Sequence, residues 1–324
     1  MLLVAEHLTK SYAHRRGWLR GAGGSGVRGS ARPALADASL SLKRGESIGI
    51  VGESGSGKST LARCLALLER PDAGRVLFEG VDLTRLGRRR LRLSRRRIQV
   101  VFQDPYSSLN PRLTVGSALR EVLYVHRLVA RDQISRRVEG LLDQVGLPAR
   151  AVDRYPADFS GGQRQRICIA RALAADPEVL IADEPVSALD VSIQAQILNL
   201  FADLRVRLAL SMIFISHDLH VVRYIAPKIA VMFGGRIVEV LPPGVPLERA
   251  RHPYTEALLA ARSRLEPGWL AHTGQLNAEL AAALPATGCA FRGRCPHAFA
   301  PCEEVDPQLR DLGVGHAVAC HHVT

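Results

Sequence analysis

Residues Gly52 to Ser59 read Gly-Glu-Ser-Gly-Ser-Gly-Lys-Ser, a fit to the phosphate-loop pattern G-x-x-x-x-G-K-[ST]. This stretch constrains the fold more than any other. Its glycines let successive backbone N–H groups converge on phosphate oxygens without Cβ clashes. The helix that must follow adds the positive end of its dipole. Ser47-Ile-Gly-Ile-Val51 just before it is a short apolar run, read as a buried strand. After it, Leu61, Cys64, Leu65 and Leu68 recur at i, i+3, i+4 and i+7, the stripe of an amphipathic helix. Strand, loop and helix in that order require a layered α/β core.

The rest of the chain supplies further strands and helices. The segment 1–10 alternates weakly and reads as an edge strand, and the Gly/Ser/Arg-rich stretch from Arg15 to Arg32 as a flexible loop. Ala38–Leu42, Arg75–Glu79, Ile98–Phe102, Val179–Ala182 and Ser211–Ser216 read as strands. Residues 111–150, Gln163–Ala175 and Ser192–Leu208 read as helices, and Ile229–Val240 as a hairpin turning at Gly234-Gly235. Alternating strands and helices predict a parallel sheet with phosphate chemistry at its carboxyl ends. Pro242-Pro243-Gly244 marks a boundary before a separate C-terminal piece.

At 324 residues the chain can bury one large domain and carry an extension. No run approaches the roughly 18 apolar residues of a membrane span. The start meets a charge too soon for a signal peptide, so a cytoplasmic protein is expected, with any membrane role peripheral. The net charge of +12 owes much to eight arginines within residues 85–97. A nucleic-acid patch is one reading of that run; a solvated basic face, near anionic headgroups at most, is the other. The run lacks aromatics for base stacking, which favours the solvated face.

Within the loop Lys58 is placed to reach the β- and γ-phosphates and the Ser59 hydroxyl to ligate Mg²⁺, with Gly52, Glu53, Ser54, Gly55, Ser56, Gly57 and Thr60 around them. Asp183, at a strand end, is suited to hold Mg²⁺ through water, and the adjacent Glu184 to polarise an attacking water. Gln103 follows another strand, where it would sense Mg²⁺ and water. His217 follows a third and would contact the γ-phosphate. Ser160-Gly161-Gly162-Gln163 opens a helix and offers N–H groups to a second anion. The phosphate loop already serves this chain's own phosphate, so that second anion belongs to another copy or a partner.

The phosphate loop, Gln103, Ser160–Gln163, Asp183-Glu184, Ser187-Ala188-Leu189-Asp190 and His217 stand in the order and spacing of ABC-transporter ATPase subunits, and the chain resembles that family over nearly its whole length. The resemblance implies a P-loop NTPase (RecA-like) α/β core with an antiparallel β subdomain and an α-helical signature subdomain over about 104–165. It implies a nucleotide-binding domain over 1–240 and an extension over 241–324. By resemblance Tyr12 stacks on adenine, Gln103 is the Q-loop glutamine, 187–190 the D-loop and His217 the switch histidine. ATP and Mg²⁺ are the expected cofactors. The expected partners are a second ATPase subunit, two membrane permeases and, indirectly, an extracytoplasmic solute-binding protein, on the cytoplasmic face of the membrane.

Phe102–Pro111, Tyr155-Pro156 and Arg251-His-Pro-Tyr-Thr255 resemble the oligopeptide/dipeptide importer branch, whose relatives also carry nickel and other small solutes. In that branch the stretch after Gln103 receives the coupling helix of the membrane subunit. A nucleic-acid-associated ABC ATPase is the rival. The gap of about a hundred residues between phosphate loop and signature is too short for the insertions such proteins carry, so no nucleic-acid partner is expected.

Four of the six cysteines, Cys289, Cys295, Cys302 and Cys320, lie in the last 36 residues. Their spacing lacks the paired C-x2-C of structural zinc. Four thiolates suit a [4Fe–4S] cluster, Cys295-Pro296 echoes ferredoxin-type ligation, and the tail resembles the Cys-rich end of peptide-importer ATPases. Zinc and unligated thiols are the alternatives. His297, His316, His321 and His322 are possible substitute ligands, while Cys64 and Cys168 fall in apolar stripes and read as core.

Overall fold

The computed structural model describes residues 1–12, 33–263, 285 and 287–323. The predicted flexible loop at 15–32 lies outside them. Two sheets form. The smaller is antiparallel and contains β1 (Leu3–Lys10), β2 (Leu35–Leu42), β4 (Ala73–Phe78) and β5 (Val81–Asp82) in the order β2-β1-β4-β5. The segment 1–10 is therefore not an edge strand. β1 is paired on both sides, and Leu3, Ala5 and Leu8 are buried against the core.

The larger sheet is built on β3 (Ser47–Val51), β6 (Ile98–Val101), β7 (Val179–Asp183), β8 (Ser211–Ser216), β9 (Lys228–Phe233) and β10 (Arg236–Leu241). Its parallel part runs β9-β3-β8-β7-β6, and β10 returns antiparallel along β9. β3, β7 and β8 are buried at every residue, which is why they read as unbroken apolar runs. Alternate side chains go to opposite faces. Ile48, Ile50, Ile181, Ile213 and Ile215 join the cluster under the small sheet and helix α1 (Lys58–Leu65). Val51, Leu180, Ala182, Met212 and Phe214 join the cluster under the helices.

Those helices are α4 (Val115–His126), α5 (Ile134–Gln144), α6 (Gly161–Leu173), α7 (Val191–Arg207) and α8 (Leu219–Ile225). α1 stops at Leu65, so Leu68 lies past its end and is exposed rather than part of the buried stripe. Thr114 caps α4 by accepting from the Ser117 N–H at 3.2 Å. Two further short helices are α2 (Arg88–Arg97) and α3 (Pro105–Ser108).

α2 carries the arginine run, and Leu91 is its one buried side chain. Arg88, Arg89, Arg90 and Arg92 are exposed, as a solvated basic face requires. Arg97 turns inward instead, bonding Glu79 at 2.6 Å and also Glu178, while Arg44 bonds Glu178 at 2.6 Å. The network ties both sheets together.

The C-terminal part is not a detached piece. After α9 (Pro253–Ser263) and α10 (Pro301–Glu304), the strands β11 (Arg310–Asp311) and β12 (Ala317–Val318) extend the larger sheet, β12 pairing with β10 through Glu239 and Val240. Phe233, Tyr254 and Phe291 pack into one aromatic cluster with ring centroids 4.6–5.4 Å apart.

Candidate functional site

Sheet register lines up the site. Val51 pairs with Ser216, Asp183 with Ile215, and Val101 with Ala182, so four parallel strands end side by side. Just beyond those ends lie the loop beginning at Gly52, Glu184, His217 and Gln103. Four residues far apart in the sequence thus share one edge.

The phosphate loop is held from behind by the β9–β10 hairpin: the Gly235 N–H donates to Ser56 O at 3.0 Å, and the Ala36 N–H to Gly235 O at 2.9 Å. Gly57, the residue before α1, has φ +103°, and a Cβ there would stand 2.3 Å from Ala34 O. Only glycine fits. The first N–H groups of an α-helix have no intrahelical acceptor, so the start of α1, directly after the loop, suits an anion.

Lys58 is buried, and its ammonium donates to Gly52 O at 2.8 Å and Glu53 O at 2.9 Å, with Glu184 Oε1 3.5 Å away. Burial lowers its pKa, opposed by Glu184 and Asp183. The Ser59 hydroxyl donates to Asp183 Oδ1 at 3.0 Å. Burial raises the Asp183 pKa, and the Ser59 hydrogen bond opposes it. A divalent cation in this corner would relieve that cost, and these hard oxygen donors suit Mg²⁺. Ser59, Asp183 and Gln103 line one end of a cleft of about 860 Å³ whose other wall carries Val122, His126 and Arg171 from the helical layer.

Glu184 has φ +47°, a left-handed backbone unusual for a carboxylate residue. Its N–H donates to Ile215 O at 3.0 Å, fixing it across the sheet end. Its carboxylate lies between Lys58 and His217 Nδ1, the latter at 3.6 Å. His217 holds the carboxyl below its ordinary range, and Glu184 in return raises the imidazole. The group is an ionised base beside a cation-lined site, placed to accept a proton from water.

Ser160 and Gln163 cap α6 reciprocally: the Gln163 N–H donates to Ser160 Oγ at 3.4 Å, and the Ser160 N–H to Gln163 Oε1 at 3.1 Å. A Cβ on Gly162 would stand 2.4 Å from Ile193 Cγ2, so α6 packs on the first turn of α7, which Ser187–Asp190 lead into. Ser160 and Gln163 are exposed, and their bonds are to each other rather than to the phosphate loop. Tyr12 is half-exposed; its hydroxyl meets Thr60 Oγ1 at 3.4 Å and Glu69, which fastens the ring beside α1.

The iron–sulfur expectation finds no support. Among the described residues no group of three or more His, Cys, Asp or Glu side chains comes together to hold a metal. The four C-terminal cysteines carry free thiols, and the Cys289 N–H donates to Cys302 O at 2.9 Å. Burial pushes the Cys289 and Cys295 thiols up. The histidines are engaged elsewhere: His316 with Glu239, His321 with Val305 O, and His297 stacked on His322. Cys64 and Cys168 are buried in the core.

Sequence reasoning missed the contacts that brace the loop from the C-terminal part. Tyr254 Oη accepts from the Glu53 N–H at 2.8 Å, and Arg294 makes a two-pronged ion pair with Glu53 at 2.8 and 2.9 Å. Nothing local in the sequence marks pairs more than 200 residues apart.

Comparison with known proteins places the chain among relatives. Residues 35–187 match the ABC transporter family model and residues 238–302 the model of the oligopeptide/dipeptide transporter C-terminal region. The dipeptide transport ATP-binding protein DppF of Escherichia coli is 48% identical over 90% of this chain and 87% of its own length. A probable peptide ABC transporter ATP-binding protein, y4tS of Sinorhizobium fredii, is 48% identical over 99% of this chain and 89% of its own. Among solved structures, the dimeric post-hydrolysis state of the ATP-binding cassette MJ0796 bound to ADP and Pi superposes with a TM-score of 0.61. It is 28% identical and covers 74% of this chain and 98% of its own.

Proposed function

Since the chain belongs to the ABC-transporter ATP-binding family, we propose that it is the ATP-hydrolysing subunit of a peptide importer, working as one of two cassettes that close over two nucleotides. The observation that carries this reading is the division of the phosphate machinery. Lys58, Ser59, Asp183 and Glu184 converge at one sheet edge, while the exposed start of α6 bonds only within itself. A cap that does not serve its own chain's loop serves a neighbour's. The dimeric cassette with ADP and Pi supports the same arrangement.

In this mechanism the loop N–H groups and Lys58 receive the β- and γ-phosphates, and Ser59, Asp183 and Gln103 would hold Mg²⁺, which would supply neutralising charge. Glu184 takes the proton of the attacking water and His217 steadies the γ-phosphate. Catalysis is positioning plus electrostatics. Tyr12 stacks on adenine, and Ser187–Asp190 link the two sites across the dimer. Closure and reopening of the cassettes drive the membrane subunits.

Peptide as cargo is supported by the C-terminal family match and by the dipeptide and peptide transport relatives. The extension over 241–324 is assigned to that subfamily role and 1–240 to nucleotide binding. No helix among the described residues is long and apolar enough to cross a membrane. The peptide-transport relatives support attachment to permeases, for which the groove of about 450 Å³ lined by Tyr106, Asn110, Leu113 and Glu121 after Gln103 is the proposed seat. Specific ATPase activity should rise with protein concentration, and the chain should co-purify with two permeases. Activity independent of dilution in a strictly monomeric preparation would overturn the reading.

A further inference from the structure

Glu53 is the second residue of the phosphate loop, and its side chain is an electrostatic obstacle: a carboxylate beside a site that must accept a polyanion. The structure answers it from the other end of the chain. Both terminal nitrogens of the Arg294 guanidinium reach the carboxylate, Nη2 to Oε1 at 2.8 Å and Nη1 to Oε2 at 2.9 Å. The fork is itself fixed, with its centre 5.4 Å from the Phe291 ring and 5.7 Å from the Phe233 ring. The Glu53 backbone is held too, its N–H by Tyr254 Oη at 2.8 Å and its carbonyl by Lys58 at 2.9 Å.

Tyr254 is in turn anchored. It is fully buried, and its N–H donates to His252 Nδ1 at 3.1 Å. The Arg251 and His252 N–H groups donate to Glu239, a fully buried carboxylate that His316 Nε2 also meets at 2.8 Å. A relay of short contacts therefore runs from β10 through the 251–255 turn to the phosphate loop.

We propose that Arg294 and Tyr254 are positioning residues for nucleotide binding: Arg294 cancels the Glu53 charge and Tyr254 fixes the Glu53 backbone, so that the C-terminal region sets the affinity of the phosphate loop for a triphosphate. The inference rests on the assignment of that loop to ATP. It gives the C-terminal region a direct part in the nucleotide site, and through it any load on that region changes how tightly fuel is held.

The test measures equilibrium binding of a fluorescent ATP analogue, with turnover measured separately, in the full chain. Arg294→Gln should weaken binding about five- to twentyfold at low salt, with the deficit shrinking at about 0.5 M salt as the unmasked carboxylate is screened. Its kcat at saturating ATP should stay within about twofold, since no group that touches the reacting atoms has changed. In an Glu53→Gln background the same Arg294→Gln change should alter affinity less than about twofold. Tyr254→Phe should weaken binding by about threefold with no salt dependence, the loss expected of one neutral hydrogen bond.

Arg294→Gln with wild-type affinity, or with the same loss whether or not Glu53 is charged, overturns the charge-cancelling role. Tyr254→Phe with unchanged affinity overturns the backbone role. A wild-type protein that binds no ATP analogue overturns the assignment of the loop to ATP itself, a failure visible before any variant is made.

Discussion

Replacing Glu184 by Gln separates binding from chemistry. The carboxylate lies 3.5 Å from the Lys58 ammonium, and at an effective dielectric of about 20 that contact is worth about 5 kcal/mol of gross attraction. In the nucleotide-free protein the amide gives this up. In the ATP complex the phosphates supply the counter-charge, so the loss falls on the free state and affinity stays equal or tightens. Turnover behaves oppositely. Removing a general base costs about 10²–10⁴ in rate, or about 3–5 kcal/mol of barrier at about 1.4 kcal/mol per decade.

Equilibrium binding of a fluorescent ATP analogue and single-turnover phosphate release measure the two halves. A third readout comes from His217, whose pKa Glu184 raises. An NMR titration should find it lower in the variant, so that the imidazole loses its proton at lower pH than in the parent. Phosphate release within tenfold of the parent would remove Glu184 from the chemistry. Binding weakened more than tenfold would refute the competition between carboxylate and phosphate for Lys58.

Lys58→Ala should leave no ATP binding heat by calorimetry, since no other buried ammonium faces the loop among the described residues. His252 is buried, which drops its pKa to about 4. The unfolded chain takes up that proton near pH 6.5 and the folded chain does not, so stability falls as pH drops from about 6.5 toward 4. Between pH 7 and 5 the loss is about 2 kcal/mol. His252→Asn, which keeps an acceptor near the Tyr254 N–H, should flatten that slope in urea titrations. Phe214 is fully buried, edge-on to Phe201 at 5.6 Å. Phe214→Ala should cost about 3–5 kcal/mol, read from the urea midpoint.

What was legible in the sequence is what local order controls. Ser47–Val51 and Ser211–Ser216 form strands with the bounds their apolar runs predict. The hairpin turns where two glycines allow positive φ, +55° and +81° at Gly234 and Gly235. The placement of Gly52, Gln103, Glu184 and His217 just past strand ends was legible because each follows a short apolar run. Other features escaped. β1 is interior to its sheet, since strand neighbours come from pairing partners 25 or more residues away. α2 was hidden because a helix with one buried leucine has no apolar stripe to read. The Glu53 brace depends on Arg294, 241 positions away, and ordinary arginines look the same in a sequence.

The reciprocal cap at the head of α6 means that this stretch is finished before any visitor arrives. Ser160 and Gln163 satisfy each other, and Gly162 lies flat on α7. This helix start therefore needs no companion as a template for its local form. On the two-cassette reading, a second subunit then meets a surface whose shape is settled beforehand.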